Sequence, residues 1–459
     1  MKKKILLLIV LFFGLQILPA QSEYTLELVD RIWFDSEIWP NGDTTGGSDV
    51  WGYTAPDGEE YALMGVMDGI AIVRVSDMEV IDIVPGPTEG FYYYNRDIKT
   101  YSHYAYAVAQ LTGTNQGLMI IDLSPLPDSV RFVGSYINGS DTLSHNLSID
   151  TATGYAYIVK QDGTGFRVVN LADPENPEDV ITVSVPSVND VYARNDTVYV
   201  GEYFSGSFSI FDLSDKENPQ LLARVDVPNP GLVHNIWPTD DGTHIMTTEE
   251  TAGKTVKMWN IEDMENIELV GEYLGVNSLA HNTHIMGDFA YISHFTAGVT
   301  VVDISDPTNL IEVAQYDTYP LNDNPNYRGC WGAYPFTQNG MVFASDMEGY
   351  LTVLQFTETN TSVFVGEPEQ IPNKVVLHQN YPNPFNPITR IEYEMPQNGN
   401  VNVSIYNIKG ELVEKLVDSY NITGKYSIQW NPKNISSGQY FYQISVDGFV
   451  QTKKMVLLK

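Results

Sequence analysis

The sequence contains one cysteine, Cys330, among its 459 residues. An intramolecular disulfide is therefore impossible, and burial of apolar side chains must stabilise the chain. Cys330 lies between Gly329 and Trp331 in an apolar stretch. We expect a thiol packed in the core rather than a catalytic thiol.

Basic residues are also scarce, since 25 Lys and Arg stand against 58 Asp and Glu and give a formal net charge of −33. Most of this negative charge lies before residue 376. That part of the chain should repel nucleic acid and anionic membrane surfaces, so we expect no nucleic-acid partner. An acidic surface keeps a protein soluble and also attracts divalent cations, and both interpretations remain open.

Long apolar runs are missing except at the N-terminus, which reads MKKKILLLIVLFFGLQILPA. Three lysines, an apolar run of about a dozen residues and the pair Pro19-Ala20 indicate a secretory signal peptide over residues 1–20. A transmembrane anchor is the alternative, but the run is short for a bilayer span. We expect an exported mature chain without a transmembrane segment.

The sequence does contain one motif that is present in seven copies. The stretch GVTVVDISDPTN around Asp303 returns in altered form around Arg74, Asp122, Asn170, Asp212, Asn260 and, weakly, Leu354. Each copy follows a strand pattern rich in Tyr and Val, and a further strand pattern lies on either side of this pair. Four short strands in a unit of about 46 residues, separated by turn residues, are typical of one blade of a β-propeller.

The two ends of the array complement each other. The seventh unit lacks its fourth strand, while the segment at residues 24–34 is a strand pattern without a partner. Pairing the two would close the ring and remove the sheet edges that an open array exposes. The predicted fold is therefore all-β, with a seven-bladed β-propeller over residues 21–357 that is closed by an N-terminal strand.

The repeated motifs carry a family resemblance. GVTVVDISDP, GLMIIDLSP and GFRVVNLADPENP resemble LVIVD repeats. Combined with SHN, VHN and AHN before the strands, they resemble the secreted propellers called choice-of-anchor B, which occur with alternative C-terminal anchors. The resemblance covers roughly residues 21–357. It implies the architecture and an extracellular location, and it implies no particular activity.

The C-terminal part has a different pattern. Residues 358–375 are polar, contain Pro and Gly and lack periodicity, so we interpret them as a linker. Residues 376–459 show the period-2 alternation of short strands, which predicts an Ig-like β-sandwich tail. A plain adhesive module is one interpretation of such a tail.

The motifs of this tail favour a second interpretation. NYPNPFNP, IYNIKGE, SSGQYFYQI and KKMVLLK resemble the type A sorting domain of the type IX secretion system of Bacteroidota and their relatives. The resemblance implies Sec export, passage through the outer membrane with the secretion machinery as the partner of residues 376–459, and cleavage of the tail. The protein would then be released or attached to the cell surface.

One set of polar residues recurs at a fixed position in the units. About 25 residues before each motif position stands a residue pair whose second member is Asp or Asn in six of seven units. A side chain that nearly every blade carries serves the blade itself, and Asp and Asn accept hydrogen bonds from backbone N–H groups in turns. We interpret six residues as structural turn caps: Asp49, Asp97, Asn146, Asp190, Asn235 and Asn282.

The first member of the pair varies and is histidine in three units. The ends of the second strands are polar as well, and we expect both sets to meet at one mouth of the central channel. The candidate ligand-binding residues are Arg96, His145, Glu202, His234, Glu249, His281, His294 and Asp346. Among them, four on blades 5 and 6 should share a metal ion, with zinc, copper and calcium as candidates: His234, Glu249, His281 and His294.

This cluster allows three interpretations, namely a polar plug around channel water, a ligand or ion site, or the acid–base groups of an enzyme. No G-x-S-x-G, H-E-x-x-H or P-loop motif is present, and a divalent metal is the only cofactor that the residues indicate. The sequence therefore favours a secreted or cell-surface binding propeller for an unidentified extracellular ligand. A metal-dependent extracellular enzyme and a passive surface-layer component are the alternatives.

Overall fold

The computed structural model describes residues 23–38, 44–90, 95–138, 142–275, 279–322 and 324–359, then 374–380, 383–385, 389–396, 399–421, 424–430, 432, 435–446 and 449–458. The chain divides into two compact units, Met1–Ser362 and Val363–Lys459. The predicted signal peptide and most of the predicted linker lie outside the described residues. Both, and the exact domain boundaries, stay predictions.

The first unit forms seven four-stranded antiparallel sheets, the blades of a propeller, as predicted. The chain begins with β1 (Glu23–Trp33) and a short hairpin of β2 (Glu37–Ile38) and β3 (Thr44–Thr45). Blades 1 to 3 are β4 (Gly47–Thr54), β5 (Glu60–Val66), β6 (Gly69–Arg74) and β7 (Glu79–Pro85); β8 (Arg96–Tyr101), β9 (Tyr104–Ala109), β10 (Leu118–Asp122) and β11 (Arg131–Tyr136); and β12 (Ser144–Asp150), β13 (Tyr155–Lys160), β14 (Gly165–Asn170) and β15 (Glu178–Ser184).

Blades 4 to 6 repeat this order. They are β16 (Val188–Arg194), β17 (Thr197–Glu202), β18 (Ser207–Asp212) and β19 (Gln220–Asp226); β20 (Val233–Pro238), β21 (His244–Glu249), β22 (Val256–Asn260) and β23 (Glu268–Tyr273); and β24 (Thr283–Met286), β25 (Phe289–Ser293), β26 (Val299–Asp303) and β27 (Ile311–Tyr316). Blade 7 contains β28 (Cys330–Tyr334), β29 (Met341–Asp346) and β30 (Tyr350–Thr359). The first strands of neighbouring blades contact one another, which places them around the central axis.

The N-terminal strand closes the ring, and this prediction is confirmed. Strand β1 is the outermost strand of blade 7 and pairs antiparallel with β30 from Glu23 opposite Thr359 to Trp33 opposite Tyr350. The first and last strands of the propeller therefore share one sheet.

The core lies between the blades. Seven clusters of buried apolar side chains each join two neighbouring blades, and one cluster packs Leu63 and Ile72 of blade 1 against Ala105 and Ile121 of blade 2. Both faces of each sheet are covered in this way, so the inner strands have nearly continuous apolar sequences. Cys330 is fully buried in the layer between blades 6 and 7, where burial raises the pKa of its thiol.

The repeated motif is the third strand of a blade and the turn that follows it. In blade 6 the Asp303 carboxylate accepts the N–H of Ser305 at 2.9 Å, and the Asp306 carboxylate accepts the N–H of Thr308 at 2.9 Å. Asp212 in blade 4 accepts the N–H of Ser214 in the same manner. The Asp or Asn of the motif therefore ends its strand by capping the following turn.

The second unit is a separate β-structure. It contains β31 (Val376–Leu377), β32 (Thr389–Met395), β33 (Gly399–Tyr406), β34 (Leu412–Asn421), β35 (Gly424–Trp430), β36 (Gly438–Val446) and β37 (Phe449–Leu457). The strands form a sheet of order β31-β32-β35 and a sheet of order β34-β33-β36-β37. Side chains from both sheets, among them Ile391, Trp430 and Tyr442, form one buried core, as predicted for an Ig-like tail.

Candidate functional site

One mouth of the propeller opens into a cavity of ≈ 550 Å³, which we call the funnel. Its lining residues come from blades 2 to 7 and the loops that join their strands, and they include Gln110, Lys160, Gln161, Asp162, Ser187, Tyr203, Phe204, Glu250, Tyr327 and Met347. A narrow cavity of ≈ 40 Å³ lies on the channel axis. Six residues line both cavities, and we call them the collar: Asn95, His145, Asn189, His234, His281 and Trp331.

Hydrogen bonds hold the collar. The His145 ring lies between two amides, with Nδ1 3.2 Å from Asn95 Nδ2 and Nε2 3.0 Å from Asn189 Oδ1. On the other side, Nδ1 of His281 lies 2.6 Å from the carbonyl oxygen of Trp331. Each collar histidine precedes the first strand of its blade or lies at the start of that strand. The three histidines therefore occupy one level of the ring.

A buried cation occupies the channel next to the collar. The Lys99 ammonium donates to the Asp49 carboxylate at 3.2 Å and to the Asp97 carboxylate, and it lies 4.3 Å from the centre of the Trp51 ring. Burial opposes the charge of Lys99, but the two carboxylates outweigh it and raise the pKa of the ammonium. These charged groups line the narrow cavity and form a polar layer beneath the collar.

Three ionisable side chains meet where blades 5 and 6 reach the funnel. His234, Glu250 and His281 each offer a nitrogen or oxygen atom, and these atoms all lie within 4.8 Å of one another. All three side chains are buried. The two imidazole rings are 4.5 Å apart between centroids. Among the residues that the structure describes, no other group of three such side chains comes as close.

Burial controls the charges in this cluster. It raises the pKa of Glu250 to about 7, although the Tyr203 hydroxyl, which donates to the carboxylate at 2.5 Å, opposes the increase. Burial lowers the pKa of His281 to about 4 and holds the pKa of His234 well below its usual range, with the neighbouring imidazoles adding to the effect. Both imidazoles are therefore neutral at neutral pH, with lone pairs that can bind a proton donor or a metal ion.

His234 has an unusual environment. Its Nδ1 atom and the Oδ1 atom of Asn282 are both buried without a hydrogen bond of good geometry. Two neighbouring groups, the His281 backbone and the Asn282 amide, nevertheless act to raise the pKa of His234 against the effect of burial. A buried polar atom without a good partner costs free energy, and such atoms concentrate at sites that bind something.

The structure does not bring Glu249 or His294 into this cluster, which corrects the predicted four-residue site. Glu249 accepts hydrogen bonds from Lys257 on the next strand of its own blade and from the N–H of Gly231. His294 packs beside Tyr273, at 6.2 Å between ring centroids, and both of its ring nitrogens are buried without a hydrogen bond. The two predicted residues that do meet are His234 and His281.

The other predicted carboxylates are also used inside their blades. Glu202 accepts from Ser207, Ser209 and Arg224 of blade 4, and Asp346 lies 3.6 Å from Arg31 of the closing strand. The side chains that face the funnel stand one position later in the sequence than the predicted carboxylates, because neighbouring residues at a strand end point in opposite directions. The residues that reach the funnel follow the strand ends: Gln161, Tyr203, Glu250 and Met347. Period-2 alternation was the signal in the sequence that could have identified Glu250 and Tyr203.

Arg96 is structural, while His145 lies where it was expected. The Arg96 guanidinium donates to the carbonyl oxygens of Met67 and Pro87 at 3.0 and 2.6 Å, which ties blade 2 to blade 1. His145 is a collar residue. It is not part of the group formed by His234, Glu250 and His281.

The recurrent Asp and Asn residues connect blades rather than cap turns, which corrects their predicted role. Asp97 accepts from the backbone N–H of Leu147 in the next blade at 2.6 Å, as Asn146 does from Val191 at 3.2 Å and Asn235 from Thr283 at 3.0 Å. Asp49 lies 3.5 Å from the N–H of Ile98. Asp190 accepts from the Asn235 amide of the next blade, whereas Asn282 Oδ1 has no such bond.

The internal role of Glu249 leads to a prediction. We expect Lys257→Met to lower the free energy of unfolding by about 3–5 kcal/mol, since the mutation leaves the Glu249 carboxylate buried beside no cation. The double variant E249Q/K257M should recover most of this loss because neither residue is then charged. Denaturant unfolding of the mature protein measures both changes. Lys254→Met, which removes a neighbouring exposed ammonium, is the matched control, and equal effects of the two Lys variants would contradict the assignment.

Two family models match parts of this chain. Residues 379–458 match the secretion system C-terminal sorting domain family, and residues 279–318 match the LVIVD repeat family. A crystal structure of the β-propeller domain of Cps50 (Swd1) from Myceliophteria thermophila is similar with a TM-score of 0.48 and 10% identity, covering 72% of this chain and 100% of that chain. The search of curated proteins found no match.

The chain is therefore an all-β propeller with an LVIVD repeat and a sorting domain that directs export to the cell surface or the extracellular space. Within the described residues, no helix has the length and apolar character that a membrane span requires.

Proposed function

We propose that this exported propeller is a binding module that holds a small extracellular ligand in the funnel. The observation that carries the proposal is a concave site of ≈ 550 Å³ at one mouth of the ring, with the collar and the buried Lys99 group beneath it. Pockets of this size are typical of small-molecule sites. A passive surface-layer component would not need such a pocket.

The funnel wall combines aromatic and polar groups. Tyr203 and Phe204 stand together with ring centroids 4.9 Å apart, and Phe204 is 82% exposed. Tyr327 lies beside Tyr203, Trp331 adds a further aromatic ring, and Lys160 and Asp162 supply charged groups. A sugar ring presents an apolar C–H face to aromatic rings and hydroxyl groups to polar side chains, so we expect a carbohydrate ligand.

A second candidate function is metal-dependent catalysis, and one observation favours it. The two imidazoles and the carboxylate of His234, His281 and Glu250 face the same funnel that would hold a substrate. Such groups can support acid–base chemistry as well as binding.

A glycan array tests the binding proposal. Labelled mature protein should bind a defined subset of glycans, and the double variant F204A/Y327A should lose at least about tenfold in affinity because it removes two aromatic rings from the funnel wall. The matched control is Leu221→Ala, which removes an exposed apolar side chain from the outer strand of the same blade as Phe204. Absence of binding to every glycan, or equal binding by the double variant, would contradict a carbohydrate site in the funnel.

A further inference from the structure

We propose that His234, His281 and Glu250 form a mononuclear binding site for a divalent first-row transition metal ion, with zinc as the ion to test. This inference rests on the proposed function, because the three residues line the funnel that would hold the ligand. The inference identifies one ligand of the funnel as a metal ion that binds at the funnel floor.

The distances fit one shared ion. Two donor atoms that bind the same tetrahedral zinc ion at about 2.1 Å are about 3.4 Å apart. The donor atoms of the three side chains lie within 4.8 Å of one another. An approach of at most about 1.4 Å between two donor atoms is therefore sufficient, and side-chain rotations can supply it.

The surroundings of His281 prepare it as a ligand. A carbonyl oxygen can only accept a hydrogen bond, so the contact of 2.6 Å with the Trp331 carbonyl places the proton on Nδ1 of His281. Nε2 then carries the free lone pair. Metal-binding histidines in proteins usually donate their second ring nitrogen to a carbonyl or carboxylate in this way.

Glu250 is oriented in a comparable manner. The Tyr203 hydroxyl donates to one oxygen of Glu250 at 2.5 Å, which orients the carboxylate. The backbone N–H of Glu250 donates to the Leu232 carbonyl at 2.8 Å, which fixes the loop directly after β21. His234 is 6% exposed, and one of its ring nitrogens lies within 4.8 Å of the donor atoms of His281 and Glu250.

The donor set selects the kind of ion. Calcium takes six to eight oxygen ligands, and magnesium keeps an octahedral shell of oxygens, so two imidazoles disfavour both. Imidazole nitrogen with carboxylate oxygen suits zinc, copper, iron and nickel. Three protein ligands leave at least one coordination position, and an ion on the funnel floor would offer that position to a hydroxyl or carboxylate oxygen of the bound ligand.

The test is isothermal titration calorimetry, in which zinc is added to mature protein that has been treated with a chelator. We expect one equivalent of zinc to bind, and we expect His234→Ala, His281→Ala and Glu250→Gln each to weaken binding at least about 100-fold, beyond the usual effect of losing an outer-shell partner. Glu250→Gln conserves the shape of the side chain and its contact with Tyr203, so it remains informative if a histidine variant fails to fold. Cobalt(II) titration provides a second readout, since a four- or five-coordinate ion has intense visible absorption.

His103→Ala is the matched control, because this histidine has a side chain 44% exposed and is outside the cluster. Zinc binding that is lost in Glu250→Gln and kept in His103→Ala supports the site. Absence of zinc binding, or binding that Glu250→Gln leaves unchanged, overturns it in favour of a hydrogen-bonded cluster. Glycan binding measured with chelator separates the two proposals, since a glycan-binding protein without a zinc site would refute only the metal inference.

Discussion

Removal of residues 21–34 should prevent formation of a stable monomeric propeller. The deletion eliminates β1, which pairs with β30 along ten registered residue pairs and provides the outermost strand of blade 7. The edge of β30 would then be exposed, and an unpaired edge next to apolar side chains promotes association with other chains. We expect most of the truncated protein in aggregates, as measured by size-exclusion chromatography and by the insoluble fraction after expression.

Specific contacts indicate why the loss should be large. Leu26 of β1 is 7% exposed and packs into the layer between blades 6 and 7. Arg31 donates to the Thr318 carbonyl at 2.9 Å and stacks on Tyr350 at 3.7 Å from the ring centre. It also lies 3.6 Å from the buried Asp346 carboxylate, which would lose this cation. Domains are stable by only about 5–15 kcal/mol, so losing a strand with these contacts can exceed the margin.

Point variants provide the control for the deletion. Leu26→Ser should lower the melting temperature clearly, while Val29→Ser should leave it nearly unchanged because Val29 is 53% exposed on the same strand. A truncated protein that stays monomeric and melts at the temperature of the full mature chain would show that β1 does not close the ring.

A chain that ends at Thr359 should fold but remain in the periplasm of a host with a type IX secretion system. The propeller and the tail each have their own buried core, and they are separate compact units. The sorting domain over residues 379–458 is the part that the secretion machinery recognises. We therefore expect export of the truncated chain to fall from most of the protein to a background level, measured by cell fractionation and surface protease treatment.

The reciprocal fusion is the control for this experiment. A reporter with a Sec signal peptide, followed by residues 360–459, should leave the periplasm in the same host. The zinc affinity and melting temperature of the truncated propeller should equal those of the full mature chain, which separates a failure of delivery from a failure of folding. Surface delivery of the chain that ends at Thr359 would refute the sorting role of the tail.

Much of the fold could be predicted because propellers repeat. The motif around Asp303 recurs at a nearly constant spacing, and six of the seven copies end a strand at the motif position, as Asp303 does where it caps the turn at Ser305. A pattern that occurs seven times shows its period even when single copies are weak. The unpaired segment at residues 24–34 and the incomplete last unit also required a closure, since open sheet edges are unstable.

The candidate site could be predicted only in part. His145, His234 and His281 lie at or just before the start of first strands, at nearly the same distance from their motifs, so the sequence identified the level of the ring on which they lie. The sequence pattern indicated Glu249 as the carboxylate beside these histidines. Glu249 pairs with Lys257 instead, and the neighbouring Glu250 faces the funnel. A strand end can be located to within about one residue from a pattern, and in a β-strand one residue changes the face.

The sequence by itself determined the number of blades, the closing strand and the sorting tail, because each depends on local patterns and on repetition along the chain. Only the tertiary structure decided which polar groups meet. His234 and His281 are 47 positions apart in the sequence and come together because neighbouring first strands converge on the axis. Asp97, Asn146 and Asn235 bridge blades rather than cap turns for the same reason, since their partners are backbone groups about one unit further along the chain. Contacts between units depend on how neighbouring blades are arranged around the axis, and no pattern within a unit encodes that geometry.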